Sequence, residues 1–371
     1  MEKWTKERAW QWYNSFKWIR GCNYMSRSCA NRVDQWQSLH FEEYLKETEE
    51  ELKVMQELGF NSVRLIIEYV VWEKEHDLFL KNFERYISLC HKYCISCMIV
   101  LANDCMPPKT ELWKMPDVGE QHYDIGYHGG RKHSQHGAHN CPAPHYYFDE
   151  PVYRDSYFKM VEEIVTIYKD DPRVLMWDLF NEPGNSNREE ITMPYLVRMF
   201  ETVRKINPSQ PLSVAAWWFD MQNNYETSEL NKYALENSDI ITYHHYGTYE
   251  SHVRVIKHLK SFDRPIINTE WLARCTGNTV FENFPLFYLE NIGCYNWGFV
   301  AGKYQTYEPY EFHWNWYNAD KRAPIDFTKW FHDLYRPSLR PYDPHETALI
   351  KRFCTLADKE FLEKRQKEKD R

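Results

Sequence analysis

The sequence predicts an α/β protein of the (β/α)8 (TIM) barrel class, with long loops after the third and eighth strands. Three observations lead there. Eight short apolar runs recur along the 371 residues, segments of helical periodicity separate them, and several runs end on polar or charged residues. Strands separated by helices pair in parallel through right-handed crossovers, and eight such units close on themselves.

The strands are expected at 18–24 (WIRGCNY), 62–67 (SVRLII), 97–102 (CMIVLA), 174–180 (VLMWDLF), 212–217 (LSVAAW), 240–246 (IITYHHY), 265–271 (PIINTEW) and 294–300 (CYNWGFV). Helical patterning follows at 41–58, 79–93, 153–169, 194–206, 227–236, 252–262, 280–291 and 328–335. In the third of these, Phe158, Val161, Ile164, Val165 and Tyr168 fall on one stripe. There is no Gly/Ser-rich linker and no low-complexity tract, so one domain is expected over 1–371. Its barrel core spans about 18–335, with helical extensions at both ends. The charged tail KEFLEKRQKEKDR is expected to be a frayed or solvated helix end. Insertions at about 104–150 and 302–324 fall on the side where barrel active sites are built, and their Trp, Tyr and His content suggests an ordered lid.

Composition narrows the function. The net charge is −8, from 46 basic and 54 acidic side chains, without the basic concentration of a nucleic-acid binder. No run of about 18 apolar residues is present, so no membrane span is expected. The start, MEKWTKERAW, lacks the pattern of a secretory leader, which points to the cytoplasm. The ten Cys are scattered, as in a reducing compartment. The 15 Trp, 27 Tyr and 20 Phe suit a protein that stacks on flat ligand faces.

The strand ends carry the chemistry. The second strand ends near Arg64, the fourth at Asn181-Glu182, the sixth at His244-His245-Tyr246 and the seventh at Glu270; the eighth carries Trp297. Two carboxylates from separate strands can converge over one bond, the pair that glycosidic cleavage requires. One must hold a proton for the departing oxygen while the other stays ionised, and neighbours set that split. Arg64 is expected to lower the pKa of Glu270, and burial near Trp177 to raise that of Glu182. Tyr246 can orient Glu270, and Asn181 can donate to a sugar hydroxyl. Asp178, deeper in its strand, reads as a structural acid with a buried partner.

This constellation resembles the retaining glycoside hydrolases of clan A: NEP after strand four, a Glu after strand seven, Arg on strand two, H-x-Y on strand six and Trp on strand eight. They are (β/α)8 enzymes such as the family 5 cellulases and mannanases and the barrel domain of family 2. The segments RGCNYMSRSCANRVDQW and GKYQT also look like generic bacterial cellulase-like hydrolases. The resemblance implies Glu182 as acid/base, Glu270 as nucleophile and Asn181 as the 2-hydroxyl contact. It implies Arg64, His244 and Tyr246 as supports and Trp297 as the floor under the cleaved sugar. After strand three, where family members often place a His, this chain has Asn103-Asp104, which are taken as further substrate contacts with Trp217. The implied partner is a β-linked oligosaccharide or glycoside, with no cofactor and no metal. The absence of a leader pattern and the two long loops favour an exo-acting or oligosaccharide-trimming enzyme over attack on polymer.

Blander readings stand beside these. A carbohydrate-binding barrel without catalysis would keep the same cleft. His244 and Tyr246 share a face, which leaves His245 as a packed histidine. Trp218, Trp271, Trp314 and Trp316 could each be core or pocket. Six His between 121 and 145 (His122, His128, His133, His136, His139 and His145) could bind a metal, although a polar lid is favoured. Cys90, Cys94 and Cys97 have a spacing seen in radical iron–sulfur enzymes, but at the bottom of the barrel.

Overall fold

A computed structural model describes residues 2–106, 116–121, 145–220 and 228–370. Nine parallel strands form one sheet: β1 (Arg20–Asn23), β2 (Ser62–Ile66), β3 (Ser96–Val100), β4 (Val174–Asp178), β5 (Leu212–Ser213), β6 (Ala215–Ala216), β7 (Ile241–His244), β8 (Ile266–Trp271) and β9 (Gly293–Trp297). The order is β5-β4-β3-β2-β1-β9-β8-β7-β6. β5 and β6 are two halves of the fifth expected strand, interrupted at Val214, whose N–H turns to the Ser238 hydroxyl (3.0 Å). One half pairs with β4 and the other with β7, so the interruption is where the barrel closes. Gly21 is required in β1: a Cβ there would collide with the Ser62 carbonyl of β2.

The helices are α1 (Lys6–Ser15), α2 (Arg32–Trp36), α3 (Phe41–Leu58), α4 (Tyr69–Lys74), α5 (His76–Lys92), α6 (Pro151–Tyr168), α7 (Met193–Ile206), α8 (Glu229–Asn237), α9 (Tyr249–Leu259), α10 (Val280–Leu289), α11 (Glu311–Ala319) and α12 (Pro344–Lys369). Their ends follow local chemistry. Pro151 starts α6, Ser228 caps α8 through the Asn231 N–H (3.2 Å), and Gly59 stops α3 at φ 96. The main apolar core lies between this layer and the barrel. A second cluster fills the barrel's lower interior: Met98, Met176, Ile267 and Tyr295, closed from below by Ala9 and Tyr13 of α1. No helix among the described residues is long and apolar enough to cross a membrane.

The expected helix at 328–335 does not form. Asp326 takes the Thr328 N–H (3.0 Å) and hydroxyl (2.6 Å), a turn that competes with a helical start. Leu334 and Tyr335 both donate to the Phe299 carbonyl (3.0 and 2.9 Å), and Phe331 donates to Tyr307 (2.8 Å). With its donors committed to the loop after β9, the segment packs as irregular chain. α12 takes the vacant wall position against α3 and α10, and the charged tail is its exposed end.

Candidate active site

Arg64 of β2 is fully buried at the centre of the upper barrel and bonds to four side chains from the ends of three other strands, β1, β4 and β8. Its Nε donates to Asp178 Oδ2 (2.9 Å), its Nη1 to Asn23 Oδ1 (2.7 Å) and Glu270 Oε1 (2.8 Å), and its Nη2 to Asn181 Oδ1 (2.6 Å). The pairing Arg64↔Met98 sets Arg64 directly beside the apolar plug, and Asn23↔Arg64 carries the polar group on to β1. Asp178 is thus the structural acid, with Arg64 as its partner. Replacing Arg64 by Met leaves Asp178 and Glu270 as uncompensated buried acids, at a cost of roughly 3–5 kcal/mol. The effect is expected as a clear fall in denaturant midpoint; an unchanged midpoint would mean that this guanidinium does not hold the layer together.

Glu270, at the end of β8, is held on both oxygens. Arg64 takes one, and the Tyr246 hydroxyl donates to Oε2 (2.8 Å). Burial nevertheless pushes its carboxyl above the ordinary range, and the nearby Glu182 charge adds to that push, against the pull of His244, Arg64 and Tyr246. The expectation that Arg64 lowers the Glu270 pKa is met only in the sign of its own contribution, since the net direction is upward.

Glu182 stands across the cleft in the left-handed region, at φ 45, a strain that loop contacts must hold. Its Oε1 meets His244 Nδ1 (2.6 Å), and its Oε2 accepts from the Cys105 thiol (3.0 Å) and the Asn185 amide. Trp177 is not among these neighbours. It lies in the main core, with Nε1 donating to Gln210 (3.2 Å). His244 Nδ1 also lies 3.4 Å from Glu270 Oε2, so one imidazole spans both acids. Burial lowers the His244 pKa to about 4, so near neutral pH the ring is uncharged.

Asn103 and Asp104 serve this geometry from behind. Asn103 pairs with Asn181 as an isolated bridge, and its Oδ1 accepts from Asn181 Nδ2 (2.7 Å). Asp104 is turned fully inward. It accepts from the Gly184 N–H (2.7 Å) and the Thr192 hydroxyl, and lies 3.4 Å from Arg188 Nε. Arg188 in turn clamps Asp149 (2.7 and 2.8 Å). Asp104 is thus placed as an anchor of the Glu182 loop rather than as a cleft residue, because the nearest backbone donors lie behind it. His145, the only described member of the His-rich group, is buried beside this network and stacks on Phe148 (4.1 Å). His122, His128, His133, His136 and His139 lie outside the described residues.

A cleft of about 220 Å³, open to solvent, lies at this end of the barrel. Glu182, Glu270, Asn181, His244, Tyr246, Trp217 and Trp297 all border it. Trp297 packs on Ile66 and Val100 as an apolar wall, and Trp217 is fixed by Nε1 donating to the Pro183 carbonyl (3.0 Å). His245 borders the cleft too, bonded to Ser251 (2.6 Å); a register shift between Tyr243 and His244 breaks the strict alternation that assigned it to the core. Trp271 is core, Trp314 stacks on Phe327, and Trp218 and Trp316 are exposed. Sequence reasoning missed Cys105, Asn185, Arg32, Tyr310 and Phe312. All five sit on loops or short helices beyond the strands, where no periodicity marks them.

Glu182, His244 and Glu270 can each offer one ligand atom within 4.8 Å of the others, the spacing of a cation site. Arg64 at 2.8 Å from Glu270 already supplies positive charge there and disfavours a second cation. Cys90, Cys94 and Cys97 form no comparable group.

A family model described as Cellulase (glycosyl hydrolase family 5) matches residues 25–330. Solved structures share the fold. A glycoside hydrolase family 5 mannosidase from Rhizomucor miehei is 14% identical with a TM-score of 0.54, covering 94% of each chain. An endo-1,4-beta-mannanase from the same organism is 14% identical at TM-score 0.54, covering 92% of this chain and 95% of its own. A GH5_18 protein from Streptomyces cattleya in complex with GlcNAc is 12% identical at TM-score 0.54, covering 92% and 80%. No curated protein sequence matches the chain.

Proposed function

The chain belongs to glycosyl hydrolase family 5 and is a glycoside hydrolase, and from that premise we propose that it cleaves β-linked glycosides with retention, through Glu270 as nucleophile and Glu182 as acid/base. The observation that carries this reading is the asymmetry of two close carboxylates. Glu270 is fixed on both oxygens by Arg64 and Tyr246, as a nucleophile aimed at one carbon should be. Glu182 sits on a loop at the cleft edge, where a leaving oxygen can reach it. An oxygen of each lies within 4.8 Å of the other, on the short side that favours direct attack over an intervening water, which needs roughly 6.5–9.5 Å.

In this mechanism Glu270 attacks the anomeric carbon as Glu182 gives its proton to the departing oxygen. The C–O bond breaks and a glycosyl ester forms on Glu270. Glu182, now a carboxylate, takes a proton from water, whose oxygen displaces Glu270 and releases the sugar. His244, neutral and bridging both acids, lets negative charge shift between them without adding a fixed charge. Asn181 is proposed as the 2-hydroxyl contact and Trp297 as the wall under the cleaved ring. A barrel that only binds sugar would not need both acids held this way.

The substrates are proposed to be oligosaccharides or chain ends. β-Mannosides head the panel, because solved structures that share the fold include a mannosidase and a mannanase. Proton NMR of an aryl β-glycoside digest should show the β-anomer of the free sugar first, with the α-anomer growing only by mutarotation. Initial release of the α-anomer would overturn retention.

A further inference from the structure

Both faces of α11, in the loop after β9, are aromatic. Inward, His313 is buried against Phe331 (ring centroids 5.2 Å), and Trp314 stacks on Phe327 (3.9 Å, 26°). Tyr317 meets the same Phe327 ring edge-on (5.2 Å, 69°). These contacts fix the helix on the barrel rim. Outward, Phe312, Asn315, Trp316 and Ala319 are all exposed, at the spacing of a single helical stripe.

The solvent face of a surface helix is ordinarily charged. This stripe instead offers two large rings, an amide and a methyl group, with Phe312 44% and Trp316 47% exposed. Exposed apolar surface that is contiguous with a polar cleft is a mark of ligand-binding grooves. The position identifies the ligand. Phe312 borders the cleft that holds Glu182 and Glu270, and Trp316 stands four residues farther along, a rise of about 6 Å. That step is comparable to the length of one pyranose ring. The C–H faces of a pyranose are apolar and flat enough to stack on such rings, and the Asn315 amide can both donate to and accept from its hydroxyls.

We infer that α11 is a binding shelf for the outer sugars of a β-linked oligosaccharide, with Phe312 and Trp316 as successive stacking platforms and Asn315 as a polar contact between them. This rests on the glycosidase reading above and adds to it a preference for chains over single sugars with small aglycones.

The test separates binding from hydrolysis. Protein carrying Glu270→Gln is titrated by calorimetry with β-1,4-linked manno- and gluco-tetrasaccharides and the matching disaccharides, with and without Trp316→Ala. Loss of Trp316 should weaken tetrasaccharide binding about tenfold, the ratio that ~1.4 kcal/mol produces, and disaccharide binding by much less. Trp316→Phe should restore most of the difference. An equal loss at both lengths, no loss, or no binding of any of the four sugars would overturn the shelf. So would sedimentation showing a dimer that Trp316→Ala dissociates, since the stripe would then be a contact between copies. If the wild type releases no sugar but the length-dependent loss persists, the glycosidase reading fails and the shelf stands.

Discussion

Protein carrying Glu270→Gly is expected to lose hydrolysis of an aryl β-glycoside by a factor on the order of 10⁴–10⁶, and azide is expected to restore turnover with an α-glycosyl azide as product. The reasoning is geometric. Glu270 is the carboxylate with both oxygens fixed, and removing it empties the space from which the anomeric carbon is attacked. A small anion entering that space attacks from the same side, and with no enzyme ester to displace, the product has inverted configuration. Arg64 remains in place and provides the positive charge that draws azide in. A β-glycosyl azide, or loss of activity with no rescue while the fold is intact, would sink the nucleophile assignment. Glu270→Gln tests a different point. It keeps the shape and the Tyr246 contact while removing the charge, so it should bind substrate without turning it over.

Much of this site was legible because strand ends in a barrel have fixed meaning. An apolar run that stops on Asn181-Glu182, and another that stops on Glu270, must place those residues at the same mouth once eight units close. Arg64 was legible for the same reason, and its bond to Glu270 follows from the closure. What the sequence hid was set by side-chain direction and by loops. Asn103 and Asp104 lie at the right height, but Asn103 is taken up as an acceptor for Asn181, and the Gly184 N–H draws Asp104 behind the Glu182 loop. Cys105 and Asn185 reach Glu182 from turns that no period describes. The missing helix at 328–335 had an apolar spacing compatible with either a helix or packed loop, and the backbone acceptors of Phe299 and Tyr307 decided between them. The balance at Glu270 was hidden most deeply, since it depends on burial and the Glu182 charge set against His244, Arg64 and Tyr246, a many-body balance that no pairwise motif contains.

Glu182→Ala should give the opposite signature from Glu270→Gly, and the contrast between them is the strongest test of the assignment. An acid is needed only where the departing oxygen is basic. For a β-linked disaccharide, kcat/KM should therefore fall by roughly 10²–10⁴, whereas for a dinitrophenyl glycoside the first step should change little. The second step still lacks its base, so the glycosyl ester on Glu270 should accumulate, and kcat and KM should fall together for the activated substrate. Azide needs no base. It should relieve that second step and produce a β-glycosyl azide, because it displaces an ester that has already inverted once. Cys105, Asn185 and His244 lose a shared acceptor at the cleft edge, so circular dichroism must show an intact fold before the kinetics are read. A loss independent of leaving group would place Glu182 among the structural contacts of the loop. An α-glycosyl azide from this variant would exchange the roles of the two acids. The two carboxylates differ in the structure by their supports, Arg64 and Tyr246 on one and His244, Cys105 and Asn185 on the other, and opposite azide stereochemistry is the kinetic form that difference should take.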